Sequence, residues 1–448
     1  MTAFVARVFN LRRDEVVPVL LAAAFFFCVL CALMVLRPAR DALGMQRGIE
    51  AVRWLFMATA VATLFANPLF GWLVARFRRL WFIGATYAFF AACLVGFWAL
   101  LAIAPQAAGE VSGMVFYVFF SVFNLFATMV FWALMADRFS LEQGKRFFAL
   151  IAVGGTLGAI AGPALASLLA QPLGTPALLL VAAGFLLLAI VAAWGVARVR
   201  PHAGDRERPD AGAARAVIGG AAWAGLRAML RSPYLLGIAG YVVVMTVMAT
   251  LLYFTRLQMV AALGDDLDLR TTVFANIDLI VQLATLFLQA VVAGHLMKRF
   301  GVAFTLALLP VTVALGFIGL AVVGTLAALI VFEAAFRAVQ RALTRPARET
   351  LYTVTSREDK YKSKAFVDTF MYRAGDVVGA QVEGLLVRLG MGLAALASVA
   401  VPLALAWAAL GVWLGRAQQR LAATGQRIHG AAAAPASPPQ GDRHDQPS

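Results

Sequence analysis

Charge is what this 448-residue chain lacks most. Only 14% of its residues are Asp, Glu, Lys or Arg, where a soluble domain carries about a quarter. A water-soluble surface for a chain this size is excluded. Histidine and cysteine are almost as scarce, at four and three. No metal-ligand spacing and no nucleophile–histidine pairing is present, so an enzyme is not expected. Cys28 and Cys31 have a C-x-x-C spacing, but they lie with Cys93 in apolar runs and read as small packing residues. No glycine-rich loop is followed by Gly-Lys-Ser/Thr, which argues against an ATP-driven pump. No cofactor or metal is expected.

Apolar sequence takes the place of charge. Hydrophobic residues make up 62% of the chain and mean hydropathy is +0.83. A membrane-spanning helix needs about 20 mainly apolar residues. Twelve such runs occur, from Val16–Leu36 to Met391–Leu414, the tenth being Leu326–Leu343 and the eleventh Phe366–Val387. Barrel strands would be half as long and alternate in polarity. The first run is too long for a signal-peptide core and reads as a retained helix. The expected fold is an all-α membrane protein with twelve transmembrane helices in two six-helix pseudo-repeats.

The net charge of +15 would suggest nucleic acid in a soluble protein. Here it sits in loops, and no nucleic-acid partner is expected. If successive loops alternate between two sides, the side holding both termini carries 29 of the 38 Lys and Arg residues. The other side carries seven, among them Arg37, Arg40, Arg53, Arg256 and Arg388, and Arg337 and Arg373 fall inside spans. Positive loops stay in the cytoplasm, so both termini are expected there. The arginine- and alanine-rich composition points to a bacterial inner membrane.

The longest polar interruption, 198–232, divides the chain into 1–197 and 233–415. It ends in a short Ala/Trp/Leu/Arg stretch suited to the membrane interface. Gly71-Trp-Leu-Val-Ala-Arg76-Phe recurs as Gly294-His-Leu-Met-Lys-Arg299-Phe. The pattern G-x-L-x-x-R-F thus follows the second span of each half, as expected of an internal repeat. Residues 416–448 lack apolar content and read as a disordered cytoplasmic tail.

Gly71, Leu73, Arg76, Arg78 and Arg79, with Gly158-x3-Gly162-Pro163 in the fifth span, resemble the loop and helix-five motifs of the major facilitator superfamily, although Ala75 stands where the loop motif has Asp. The resemblance implies a transporter built from two parallel six-helix halves. More narrowly, Arg40-Asp41, Arg146-Phe-Phe, Lys360-Tyr-Lys, Asp368, Arg373 and Gly375-Asp376 resemble bacterial relatives of the ATP/ADP-antiporter (nucleotide exchange) family. Those exchangers have Lys-Asp where this chain has Arg40-Asp41.

Charges inside spans are costly and mark function or pairing. Glu333 and Arg337 in span ten share a face at i, i+4, and Arg373 and Asp376 in span eleven share one at i, i+3. These four charges are expected near the membrane centre, as an anion-binding or coupling cluster or as two self-neutralising bridges. In span eight, Asp278 and Gln282 share a face. Asp278 and Glu383 lie toward the outer helix ends, as gate residues, titrating carboxylates or solvated side chains. Asn124 and Thr128 in span four, flanked by Phe123 and Phe131, suit substrate lining or interhelical hydrogen bonding. Arg37 and Arg256 are placed to face each other at the outer mouth with Arg40 nearby, where arginine attracts phosphate or carboxylate or snorkels to headgroups. Gly158, Gly162, Pro163, Gly375 and Gly379 suit close helix packing. Since the buried charges concentrate in spans eight, ten and eleven, the second half is expected to carry the chemistry and the first to supply shape.

The expected function is secondary active transport by alternating access of an anionic small solute, phosphorylated solutes included, by exchange or proton coupling. The protein would act as a monomer, with the bilayer, its substrate and protons as partners. A proton-coupled exporter of amphipathic compounds and a non-transporting membrane receptor or scaffold are the alternatives.

Overall fold

The computed structural model describes residues 13–76, 79–103, 109–139, 141–198, 222–291, 293–390 and 392–432. Among them there is no β-strand. This follows from the apolar runs, because a chain in hydrocarbon must satisfy its backbone groups internally. The first half comprises α1 (Arg13–Gly44), α2 (Ile49–Arg76), α3 (Arg79–Ile103), α4 (Gly109–Arg138), α5 (Leu141–Leu173) and α6 (Ala177–Arg198). After the short α7 (Ala222–Arg231), the second half comprises α8 (Pro233–Ala261), α9 (Leu267–Val291), α10 (Ala293–Val323), α11 (Leu326–Val339), α12 (Arg345–Leu351), α13 (Arg357–Phe366), α14 (Tyr372–Arg388) and α15 (Leu393–Ala432). The fully described connections on the face away from the termini are tight. Two of them turn at Gly174 (φ 81°) and Gly324 (φ 63°), where a side chain would be strained.

Ten of the twelve expected spans are helices long and apolar enough to cross a bilayer. The tenth and eleventh are more elaborate than the single runs expected. Span ten is α11, a π-helical turn at Gln340–Thr344, and α12. Span eleven is α13, a π turn at Val367–Met371, and α14. A π turn admits one extra residue and resets which side chains face inward. In both spans it lies beside the charged residues that dilute the apolar run. The last helix also departs from expectation. It continues to Ala432, through a segment read as tail, because its Gln, Arg, Leu and Ala residues are strong helix formers. Residues 433–448, and most of the 198–232 linker, lie outside the described residues.

Each half has its own core. In the first it is dominated by phenylalanine: Phe26 stacks on Phe131 at 4.2 Å between centroids, and Phe90 lies 4.9 Å from Phe123. Phe123 and Phe131 are therefore interior packing residues and line no ligand face. The second half packs around Tyr241, Trp407, Phe332 and Phe336. A third cluster joins the halves, and its α1, α2 and α8 members (Ala42, Met45, Val52, Leu55, Leu257 and Val260) lie toward the face away from the termini. The outer surface remains apolar, as Phe65, Phe89, Leu315 and Val331 illustrate.

Glycines bring spans one and five, and spans seven and eleven, into close approach. A Cβ on Gly162 would lie 2.6 Å from Met34 Cβ, and Gly158 faces the Phe27 carbonyl of α1. Gly379 faces Thr250 and Val247 of α8, and Gly375 faces Thr246. The same device thus operates at equivalent places in both halves. Pro163 follows within α5. The first copy of the loop motif shows no such contact at its glycine. Gly71 has open space around a would-be Cβ, and Arg76 and Arg299 are exposed. The surroundings of Gly294 lie outside the described side chains.

Gly162→Val should force α1 from α5 and cost about 1–3 kcal/mol of overpacking, lowering the thermal midpoint in detergent. Gly71→Ala should leave the midpoint unchanged or slightly raised. Equal effects from the two substitutions would contradict the packing role of Gly162.

Candidate functional site

The halves meet around one guanidinium. Arg256 of α8 has no solvent exposure, and three carboxylates converge on it. Its Nη2 bonds Asp41 of α1, and its Nη1 lies 3.3 Å from both Asp278 of α9 and Glu333 of α11. A charge so buried is tolerated only with charge and hydrogen-bond partners in place. Phe274 and Tyr253 add their ring faces, with centroids 5.1 and 5.3 Å from the guanidinium carbon.

Each carboxylate carries the network onward. Asp41 accepts from Arg40 Nε at 2.9 Å and from the Tyr253 hydroxyl at 2.9 Å. The Tyr117 hydroxyl lies 3.1 Å from that of Tyr253. Arg40 lies over the Tyr117 ring, 4.6 Å from its centroid. Asp278 is 3.4 Å from Arg37 Nε, and Glu333 is 3.4 Å from Arg337 Nη2. Outward of this level, Arg53 Nε donates to Glu383 at 2.7 Å and Gln258 donates to the same carboxylate at 2.6 Å. At the rim, Arg388 reaches Glu50 at 3.4 Å. Thr175 of the first half donates through its backbone N–H to Asp268 at 2.6 Å.

The described polar contacts between the halves lie from the level of Met34 and Gln282 outward to the face away from the termini. On the other side the halves part around a cavity of about 370 Å³. Its walls include Arg37, Arg40, Arg337, Arg341 and Arg373, and among the described residues Asp376 is the one acid that lines it. Phe56, Tyr117, Phe120 and Tyr253 supply aromatic surface, and Ser121, Asn124 and Thr250 supply uncharged polar groups. Arg341 donates to the Gln282 amide oxygen at 2.5 Å, and no carboxylate pairs with it among the described residues. Arg373 pairs with Asp376 at 3.3 Å. A second cavity of about 600 Å³ shares Arg337, Arg341, Arg373 and Asp376 and runs past Arg345, Arg348 and Lys364 toward the termini side.

A family model for the Major Facilitator Superfamily matches residues 16–341, more than half of the chain. The chain belongs to the Major Facilitator Superfamily. It is a transporter and not an enzyme. No curated protein matches it by sequence. Among solved structures, a mutant of the nucleoside transporter NupG superposes with a TM-score of 0.62 at 12% identity, over 90% of this chain and 99% of that one. A bacterial homologue of the iron transporter ferroportin, in an inward-facing state, gives 0.63 at 11% identity over 89% and 98%. The POT family transporter PepTSo gives 0.59 at 14% over 92% and 98%. At these identities the likeness is one of fold.

Set on the superfamily fold, several sequence expectations are redrawn. Arg256 is not at an outer mouth facing Arg37. Both arginines turn to Asp278, and Arg256 is sealed from solvent, because the converging acids compensate it better than headgroups would. Asp278 and Glu383 are likewise buried and paired. Glu333 and Arg337 pair with each other, and Arg337 meets Arg373 and Asp376 only across the shared cavity. Gln282 orients Arg341. Asn124 lines the cavity, whereas Thr128 is not among its lining residues. The first half supplies more than shape: Arg37, Arg40 and Asp41 come from α1, and Phe56, Tyr117 and Phe120 from α2 and α4.

Sequence reasoning does not single out Asp41, Arg341, Arg53, Tyr117 or Tyr253 as site residues. Asp41 has a signal, an acid adjoining Arg40 at the end of an apolar run. Arg341 lies two residues from the end of the tenth apolar run and is counted with the loop charges beyond it, whereas the π turn and α12 carry span ten on past it.

Asp41→Asn removes the acid that Arg40, Arg256 and Tyr253 share. Breaking such a buried arrangement costs about 3–5 kcal/mol, so the variant should melt well below Asp376→Asn, whose carboxyl faces the cavity. Equal midpoints would mean that Asp41 does not hold the halves together.

Proposed function

We propose that this chain is a secondary active transporter that binds a small anion in the arginine-lined cavity between its halves and releases it by alternating access. The observation that carries this reading is the charge balance. Six arginines (Arg37, Arg40, Arg256, Arg337, Arg341 and Arg373) meet four carboxylates (Asp41, Asp278, Glu333 and Asp376). Two positive charges are left over, and Arg341 has only a neutral partner. A ligand with about two negative charges completes the set, and arginine forks suit phosphate or carboxylate oxygens. The volume fits a small metabolite.

Lysine and arginine lie mainly in loops on the termini side. Four of the seven counted on the other side (Arg37, Arg40, Arg53 and Arg256) are paired inside the protein and leave the loop count. The bias that supports cytoplasmic termini is thereby strengthened. The cavity then opens to the cytoplasm, and the pairs from Arg37–Asp278 to Glu50–Arg388 close the outer face. The resemblance to bacterial relatives of the ATP/ADP-antiporter family involves Arg40-Asp41, Arg373 and Asp376, which lie in the network or line the cavity. Nucleotides therefore belong in the first substrate panel, beside sugar phosphates and di- and tricarboxylates. The exporter reading gains little support from the phenylalanines, eleven of which are buried in the first half's core.

Transport is tested with purified protein in proteoliposomes. Arg341→Gln should cut flux of a divalent anion at least tenfold while leaving protein yield and melting unchanged. Flux of only neutral or cationic compounds would overturn the anion reading. Asp376 is the acid that faces the cavity, so Asp376→Asn separates the coupling modes. Under proton coupling it should abolish uptake driven by a pH gradient and spare anion exchange. Under obligatory exchange both wild type and variant should ignore the gradient.

A further inference from the structure

We propose that the termini-side end of span twelve carries a binding site for an anionic phospholipid, separate from the transport cavity. A cleft of about 900 Å³ lies between the first turn of α8, residues 354–356 and one face of α15. It shares no lining residue with the two arginine cavities. The α15 contribution is Ala409, Val412, Trp413, Arg416, Ala417, Arg420 and Leu421, a spacing that lines one side of a helix. That side changes character along its length. The inner part is apolar, and the last turns before the aqueous face present Arg416 and Arg420. Among the described residues no Asp or Glu lines the cleft, and neither arginine has a carboxylate partner.

Chemistry and position select the occupant. Trp413 is 45% exposed and Leu405, two turns inward, is 56% exposed, so this flank of α15 faces hydrocarbon. The Trp413 ring is seated on bare backbone: a Cβ on Gly237 of α8 would lie 2.5 Å from it. The helix is apolar enough to span from Leu393 to Thr424, which places both arginines at headgroup depth. A free phosphate would engage the arginines and leave the apolar part uncovered. A choline lipid would bring a cation to two unpaired cations. A phospholipid with net negative charge satisfies both parts, its phosphate at Arg416 and Arg420 and a chain along Trp413 and Val412. It would brace the start of span seven, the connection between spans ten and eleven, and the end of span twelve, all elements of the second half.

Native mass spectrometry of the full chain tests this, using phosphatidylglycerol and phosphatidylcholine with identical acyl chains. Phosphatidylglycerol should be retained at least about fivefold more strongly. Each basic residue near an anionic lipid surface contributes about 1 kcal/mol, so removing two should weaken retention by about tenfold or more. Arg416→Gln with Arg420→Gln should therefore lose phosphatidylglycerol to that extent and keep phosphatidylcholine unchanged. If the double variant loses its monodisperse peak, Arg420→Gln alone gives the same comparison, with a loss of about threefold or more. Equal retention of the two lipids by the wild type, or a loss below about twofold in the double variant, would overturn the site. Anion flux by Arg341→Gln is a separate measurement, so failure of the transport reading leaves this result standing.

Discussion

A single buried guanidinium organises the protein. Arg256 sits where α1, α8, α9 and α11 converge, and it is compensated by one carboxylate from the first half and two from the second. That division matters for motion. When the halves part on the outer face, Asp41 leaves, but Asp278 and Glu333 stay in the same half as Arg256. Asp41 in turn keeps Arg40, its neighbour on the same helix. Within the Arg256 network the charge that loses its carboxylate is Arg37, which lines the cavity and can exchange that partner for water; nearer the face that opens, Arg53 parts from Glu383 and Arg388 from Glu50. The arrangement couples the halves strongly when closed and leaves no sealed charge uncompensated when open, which a rocking mechanism requires.

The halves can rock as units because each is held by its own close contacts. Gly158 and Gly162 let α5 lie against α1, and Gly375 and Gly379 let α14 lie against α8. The ion network is built on α1 and α8, the partners in those two contacts. Small residues and buried charges therefore serve different levels of one design: the former fix helices within a half, and the latter join or release the halves. The π turns in spans ten and eleven sit on the cavity wall, where they bring Arg341 and Asp368 inward at the cost of a regular helix.

Hydropathy is sufficient to read the membrane class, the number of spans and the division into halves, because the requirement for some 20 apolar residues per crossing is physically strict. The glycine contacts are legible for the same kind of reason: spacing on a helix fixes a face. Pairing between helices is not legible. Glu333 and Arg337 can be joined from sequence because they lie one turn apart, but Arg256 finds Asp41 across 215 positions and Arg53 finds Glu383 across 330. No local pattern encodes such distances. The interruption of spans ten and eleven is hidden too, since a π turn changes hydrogen bonding without changing composition. That is why Arg341 stands at the end of span ten when only hydropathy is read, and not well within it.

The asymmetry expected between the halves takes a different form in three dimensions. The second half does hold more of the spanning charge, but much of it is self-contained: Glu333 and Asp278 neutralise Arg256, and Asp376 neutralises Arg373. What the first half adds is Arg37 and Arg40 with only Asp41 among the network acids, a surplus of one positive charge, and the second half adds the other through Arg341. Each half alone presents only one of the two surplus charges. The surplus of two is complete only where both halves face the cavity, so an anion bound there, as proposed, would touch charges on either side of the boundary between the halves. Binding and closure then draw on the same interactions, and the ligand itself helps to decide which way the halves lean.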